Sequence, residues 1–227
     1  MSVVSPVSLG DSRGGPPLTF NRQIASDEAE FPLRLRRYRL GLALFVAAIA
    51  MLFVGYSSAY VVRRGIPTFD GATGTYSVTW EPLRLPIALL LFNTCLLISA
   101  SGAIEAVRRR MPGLLVGKEQ IKKGAMLWLN LSLLSGTGFL IGQGIAWHSL
   151  SSNAQFLSTG ARTAFFYVLT GTHALHALLG VLALAVVAVF YARMSTVRKC
   201  LAIDLTAWYM HSMTFFWIYL LCFVLFA

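Results

Sequence analysis

The stretch FFYVLTGTHALHALLG, residues 165–180, places two histidines three residues apart inside a run of apolar side chains. The whole apolar run, at about residues 162–191, is long enough to cross a bilayer, which takes about 20 residues of helix. Because an open sheet edge cannot exist in lipid, a spanning segment of this kind is predicted to be helical. Five such segments occur along the chain, at about 38–62, 85–107, 124–147, 162–191 and 203–226.

The composition agrees with a membrane protein. The 227 residues are 56% hydrophobic and only 12% charged, with a mean hydropathy of +0.67, whereas a soluble domain has about 25% charged residues. Five apolar segments with short polar connections also argue against core helices of a large soluble protein. The predicted fold is all-α, a polytopic bundle of five transmembrane helices over residues 38–227. Residues 1–37, which contain Pro6, Pro16 and Pro17, are predicted to be an irregular cytoplasmic tail.

The basic residues are distributed unevenly between the two ends of the helices. A net charge of +10 would suit nucleic acid, but the distribution indicates topology instead, and no nucleic-acid partner is predicted. Fifteen basic residues fall in the tail and in the connections after segments two and four, against four on the opposite side. This predicts a cytoplasmic amino terminus and an outside carboxyl terminus. The four are Arg63, Arg64, Arg84 and Arg162.

Few ionisable residues lie within the segments, where each is a candidate functional group. Glu105 lies about 30 Å along the second helix, and Arg108, Arg109 and Arg110 follow it. It is therefore predicted to sit at the inner surface, either as an interfacial acid paired with a nearby arginine or as a proton carrier.

The buried histidines allow several interpretations. His176 is placed about 20 Å below the outer surface and His211 about 12 Å above the inner one, so in a core of about 30 Å they are expected to share a polar environment. That pair could in principle ligate a haem. His173 and His176 share a helix face, but a zinc site normally needs four ligands and no acid or cysteine lies at matching depth. The remaining interpretation is histidines satisfied by hydroxyls, carbonyls or each other.

Five separate sequence patterns point to one family. FFYVLTGTHALHALLG resembles the F-x-L-T-G-x-H-G-x-H signature of subunit III of haem–copper oxidases, the cytochrome c oxidase subunit III family. WYMHSMTFFW, residues 208–217, is similar to that family's pattern Y-W-H-F-V-D-x-x-W. The other patterns match within helices one to three, in the family's order, over about residues 38–227. The matching positions singled out are Asn93, Thr94, Gln143, Trp147, Thr170, Gly171, His173, His176, Tyr209, His211 and Trp217.

The resemblance implies a cofactor-free accessory subunit of a respiratory terminal oxidase, in the short five-helix form found in bacteria. Oxygen reduction and proton pumping would then belong to subunit I, with subunit II in the same complex and haem and copper held by those partners. The matching residues would be structural, with no catalytic, cofactor or metal role. The resemblance further implies an inner-membrane location and bound phospholipid, and it is compatible with a respiratory supercomplex.

The chain also departs from the family pattern. The family's intramembrane glutamate falls at Ile49, its carboxylate before the helix-three tryptophan at Ala146, and its helix-five acid at Thr214. Isoleucine cannot titrate, so no proton role is implied at that position. Two alternatives remain: a divergent subunit of a nitric-oxide reductase or supercomplex, and a membrane carrier. A carrier usually has internal repeats and a broken helix near the midplane, and neither pattern is found here.

The topology can be tested by cysteine labelling. Lys118→Cys, in a chain whose three native cysteines are replaced, should react with a membrane-impermeant maleimide only after the cells are opened, because the positive-inside asymmetry places this connection in the cytoplasm. Gly71→Cys, in the opposite connection, should react in intact cells. Labelling of Lys118→Cys from outside would reverse the orientation.

Overall fold

Long helices make up almost all of the computed structural model of the protein, which describes residues 18–70, 74–77, 85–111, 119–152 and 160–226. Each helix contains a stretch long and apolar enough to cross a membrane. The all-α, multi-pass membrane fold predicted from the sequence is therefore confirmed. The helices are α1 (Leu18–Gly65), α2 (Ile87–Arg109), α3 (Glu119–Ser152), α4 (Ala161–Phe190) and α5 (Thr196–Phe226).

Helix boundaries differ from the predicted ones chiefly at the amino terminus. α1 begins at Leu18, inside the segment that was predicted to be irregular. The residues from Leu18 onward follow the last proline of the Pro16–Pro17 pair, a position at which a helix can start. The chain divides into two compact units, residues 1–38 and 39–227, and the contacts described below lie within the second.

A short hairpin, which the sequence analysis did not predict, lies between α1 and α2. Its strands β1 (Thr68–Asp70) and β2 (Thr75–Ser77) pair antiparallel. Gly74 has a φ of 66°, a left-handed conformation that glycine adopts without steric cost. The rings of Phe69 and Tyr76 pack across the strands with their centroids 5.2 Å apart.

Helices α2 to α5 form the bundle core, and α1 is attached to it from one side. α2 packs against α3 and α5, and α4 packs against the same two helices. In the described parts of the chain, no Cα of α1 comes within 8 Å of another helix. α1 instead reaches the bundle through large side chains, since Ile49 and Phe53 are buried against Leu169, Tyr209 and Phe216.

The most confined glycine among the described residues lies in α3. A Cβ on Gly142 would overlap the carboxamide of Asn93, lying 2.8 Å from its Cγ and 3.0 Å from its Nδ2. Gly180 of α4 is similarly confined, with the sulfur of Met210 2.9 Å from its Cβ position. Small residues thus let the backbones approach, as is usual for helix packing in lipid.

Two glycines of α3, two residues apart, give a matched test of this packing. Gly142→Ala should lower the free energy of unfolding by about 1–3 kcal/mol, because the added methyl group overlaps a fully buried carboxamide. Gly144→Ala should be neutral or stabilising by about 0.5–1 kcal/mol, because its Cβ position has nothing within 4 Å and alanine favours the helix. Unfolding in detergent measures both, and equal tolerance at the two positions would contradict the packing.

Candidate functional site

Charged and polar side chains from three helices meet at one end of the bundle. We call them the charged cluster, which consists of Arg39 of α1, Ser101, Glu105 and Arg108 of α2, and Asp204 and His211 of α5. The start of the α1 span, the end of α2 and the beginning of α5 lie at the same end, because successive helices run in alternating directions.

Asp204 is the buried centre of this cluster. Its side chain is 3% exposed, and the guanidinium of Arg39 donates two hydrogen bonds to it, from Nε at 2.8 Å and Nη2 at 2.7 Å. Nη1 of Arg108 lies 3.6 Å from the same carboxylate. A two-point bond of this kind fixes orientation as well as distance, so it sets the position of α1 against α5.

Glu105 forms the second half of the cluster. It accepts hydrogen bonds from Nε of Arg108 at 2.6 Å and Nε of Arg109 at 3.0 Å. Its other neighbour is His211, whose Nε2 lies 3.2 Å from the carboxylate and whose Nδ1 lies 2.5 Å from the Ser101 hydroxyl. The prediction of an acid paired with nearby arginines is confirmed.

Asp204 was missed by the sequence analysis. Its signal was the presence of a carboxylate in an otherwise apolar stretch of α5, which is costly in lipid without a partner. The partner could not be inferred, because Arg39 lies 165 positions earlier in the chain and several other arginines are nearer in sequence.

Seven of the positions that match the family pattern lie near one another between α2, α3, α4 and α5. The indole of Trp147 donates a hydrogen bond to Thr170 at 3.1 Å, which joins α3 to α4. The indole of Trp217 donates to Thr94 at 2.9 Å, which joins α5 to α2. We call this group the polar layer, consisting of Asn93, Thr94, Gln143, Trp147, Thr170, His173 and Trp217.

His173 lies within the polar layer among aromatic rings. It is fully buried, and its ring centroid is 5.3 Å from that of Trp217 and 5.8 Å from that of Phe139. Neither ring nitrogen has a hydrogen-bond partner among the described residues, and the same holds for the carboxamides of Asn93 and Gln143. The expectation that each buried histidine finds a polar partner therefore fails at His173.

His176 and His211 each have a polar partner but do not share one. Nδ1 of His176 donates to the carbonyl of Thr172, one turn earlier, at 2.7 Å, while His211 faces Ser101 and Glu105 of α2. The helix rise per residue predicted similar depths in the membrane for His176 and His211. It could not predict the direction in which each side chain points around its helix. Tyr209 links the two helices instead, donating its hydroxyl to the carbonyl of His176 at 2.9 Å.

Gly171 has a less specific place than the family pattern suggested. Nothing lies within 4 Å of its Cβ position, so no close helix contact depends on it. In α4 the confined glycine is Gly180.

The three positions at which the family pattern has acids are occupied by uncharged residues in the packed interior. Ile49 is buried in the apolar contact between α1 and α5, and Ala146 is fully buried. Thr214 turns its hydroxyl to the carbonyl of Met210 at 2.9 Å. A proton could not be carried at any of these positions, because none of the three side chains titrates in the physiological range.

The arrangement does not resemble a haem or metal centre. Across the described residues, no three histidine, cysteine, aspartate or glutamate side chains come together as metal ligands. His211 does not suit a bis-histidine pair as placed, since both of its ring nitrogens are engaged, Nδ1 by Ser101 and Nε2 by Glu105. The bonds from Trp147 to Thr170 and from Trp217 to Thr94 instead connect helices to one another.

These features define a class: a polytopic membrane protein whose intramembrane polar residues link the helices of one bundle. The family model described as "Cytochrome c oxidase subunit III" matches residues 31–227. The chain belongs to the cytochrome c oxidase subunit III family, and the polar layer is built from the positions that carried the resemblance.

Individual relatives are distant but cover most of the chain. It is similar to "Cytochrome c oxidase subunit 3" of Pylaiella littoralis, 27% identical over 80% of this chain and 64% of the relative. It is also similar to "Cytochrome c oxidase subunit 3" of Corynebacterium diphtheriae, 26% identical over 79% of this chain and 82% of the relative. A third relative, "Cytochrome c oxidase subunit 3" of Thermostichus vulcanus, is 29% identical over 63% of each chain. The chain thus spans less than two thirds of the length of some relatives and most of the length of others.

The pair between Arg39 and Asp204 gives a direct test of the charged cluster. Arg39→Gln should lower the free energy of unfolding by about 3 kcal/mol, because it leaves a buried carboxylate with a weaker partner. This loss of stability should be near the low end of the range for a buried ion pair, because Nη1 of Arg108 remains 3.6 Å from the Asp204 carboxylate.

The control is Arg109→Gln, whose side chain is 78% exposed and whose removal should cost less than about 1 kcal/mol. Unfolding in detergent distinguishes the two variants. Equal losses would show that Asp204 is satisfied without Arg39.

Proposed function

We propose that this chain is the accessory subunit III of a bacterial haem–copper terminal oxidase, with no redox centre of its own. Oxygen reduction and proton pumping would take place in subunit I, to which this chain binds directly, with subunit II in the same complex. The observation that carries the proposal is the family match over nearly the whole membrane domain, together with a polar layer that joins helices and holds no metal-ligand group among the described residues.

α1 supports binding to another membrane subunit because most of it is uncovered. In its most apolar stretch only 17% of the residues are buried, against 33–44% in the other four helices. Gly41, Ala48 and Gly55 recur every seven residues along an exposed side. Nothing lies within 4 Å of the Cβ positions of the two glycines. Such a side permits close approach of a partner helix, which drives association in lipid.

α3 has a second uncovered side that would be costly against lipid alone. Asn130, Thr137 and Gly144 also recur every seven residues and are exposed. The hydroxyl of Thr137 is satisfied by the carbonyl of Leu133 at 2.8 Å, but a carboxamide such as that of Asn130 has two donor hydrogens and an acceptor oxygen, more than its own helix backbone can satisfy. A neighbouring transmembrane helix with a polar group at that depth would supply a partner.

A groove between α1 and α5 supports the proposal of bound phospholipid. It has a volume of about 410 Å³ and an almost wholly apolar lining, with Arg39 at the charged cluster and Trp208 and Ser212 on the opposite wall. An acyl chain fits the apolar length and an anionic headgroup fits the arginine.

Phospholipid should remain with the purified chain after mild detergent washing, and complete loss would argue against this occupant.

We further propose that the charged cluster lies at the cytoplasmic side of the bacterial inner membrane. The amino-terminal tail and the sequence around the connections after α2 and α4 together contain fifteen of the nineteen basic residues, which favours a cytoplasmic amino terminus. The arginines of the cluster would then face anionic headgroups of the inner leaflet.

The function is tested by purification with and without the rest of the complex. A tagged chain purified from its own membranes should bring a haem-containing catalytic subunit with it, because its uncovered helix faces are proposed to bind that subunit. The same chain expressed in membranes that lack this oxidase should have no haem absorbance and no stoichiometric copper or iron. A haem spectrum from the isolated chain that disappears in His176→Ala or His211→Ala would overturn the proposal.

A further inference from the structure

Three polar side chains from three different helices are fully buried near one another without a protein partner. They are Asn93 of α2, Gln143 of α3 and His173 of α4, and each is at most 1% exposed. None of their side-chain nitrogen or oxygen atoms forms a hydrogen bond to a described residue. Unpaired polar groups inside a protein cost free energy comparable to a lost hydrogen bond, and no bulk water reaches the interior of a membrane bundle.

The contacts around these side chains place them in one layer of the bundle. Gln143 lies on the side of α3 between Phe139 and Trp147, one turn away in each direction. Phe139 touches the ring of His173, and Trp147 bonds to Thr170, one turn earlier in α4. Gln143 therefore faces α4 at the level between these two contacts.

Asn93 joins the same layer from the other side. Its carboxamide lies against Gly142, the residue before Gln143. Its neighbour Thr94 accepts a hydrogen bond from Trp217, whose ring lies beside His173. The three unpaired side chains are thus connected through a shared set of aromatic neighbours.

We propose that Asn93, Gln143 and His173 bind internal water within the polar layer, so that water molecules join α2, α3 and α4. Buried water typically makes about three hydrogen bonds to otherwise unpaired groups, and two carboxamides and an imidazole offer both donors and acceptors. A cavity of about 10 Å³, with room for about one water centre, lies beside Thr170 and Trp217, and its lining is otherwise apolar and includes none of the three unpaired side chains. This inference goes beyond the proposed function and does not depend on it.

Radiolytic footprinting tests for the water directly. X-rays generate hydroxyl radicals from bound water in place, so buried side chains next to internal water become oxidised. In the full-length chain in lipid nanodiscs, Phe139 and Trp217 should be labelled more than Met210. Met210 is as deeply buried and chemically more reactive, but it lies beside Gly180 rather than in the layer.

A substitution tests whether the water bonds to these residues. Gln143→Met keeps the shape and removes the hydrogen bonds, so it should lower Tm by about 4 °C, which corresponds to one or two buried hydrogen bonds in a protein of this size. The matched control is Leu97→Met, a volume-conserving exchange at a buried position of α2, which should change Tm less. Labelling of Phe139 and Trp217 no greater than that of Met210 would overturn the proposal, as would a Gln143→Met variant at least as stable as the Leu97→Met control.

Discussion

The salt bridge between Arg39 and Asp204 fixes the one helix that backbone packing leaves free. α1 approaches no other helix closely among the described residues, so its position depends on side chains that reach across a gap. Arg39 holds one end through Asp204, and at the other end Ser57 accepts a hydrogen bond from Tyr219 at 2.9 Å. Between these two polar contacts lie the apolar contact around Phe53 and the groove.

The attachment of α1 through side chains leaves much of its surface uncovered, which is the basis of its proposed role in binding another subunit. α2 to α5 are joined by close glycine contacts and by hydrogen bonds of the polar layer. α1 lies on the outside of these four helices and presents small residues that no part of the described chain covers. In lipid, where apolar surface alone gives little drive for association, close backbone approach and hydrogen bonds decide which helices pair. The proposed role as an accessory subunit follows from this difference between the packed helices α2 to α5 and the uncovered helix α1.

The sequence predicted the helices well and the contacts between them only in part. Apolar length alone identified all five spans. The three arginines that follow Glu105 indicated an acid paired with a nearby arginine, which was one of two interpretations. Long-range pairs such as Arg39 with Asp204 could not be predicted, because helix periodicity gives height and face but not which helix lies opposite. His211 shows the same limit: its depth was estimated, but its contact with α2 depends on rotation of the helix.

The central claim is that the uncovered side of α1 binds the catalytic subunit, and photo-crosslinking tests it most directly. A photoreactive amino acid at Ala48, exposed on α1, should crosslink this chain to the haem-containing subunit in native membranes. The same probe at Leu182, exposed on α4, serves as a comparison for contact with lipid and other proteins. The account predicts a specific crosslinked product from Ala48 in much higher yield than from Leu182. Equal yields at the two sites, or a product from Ala48 that contains no oxidase subunit, would contradict it.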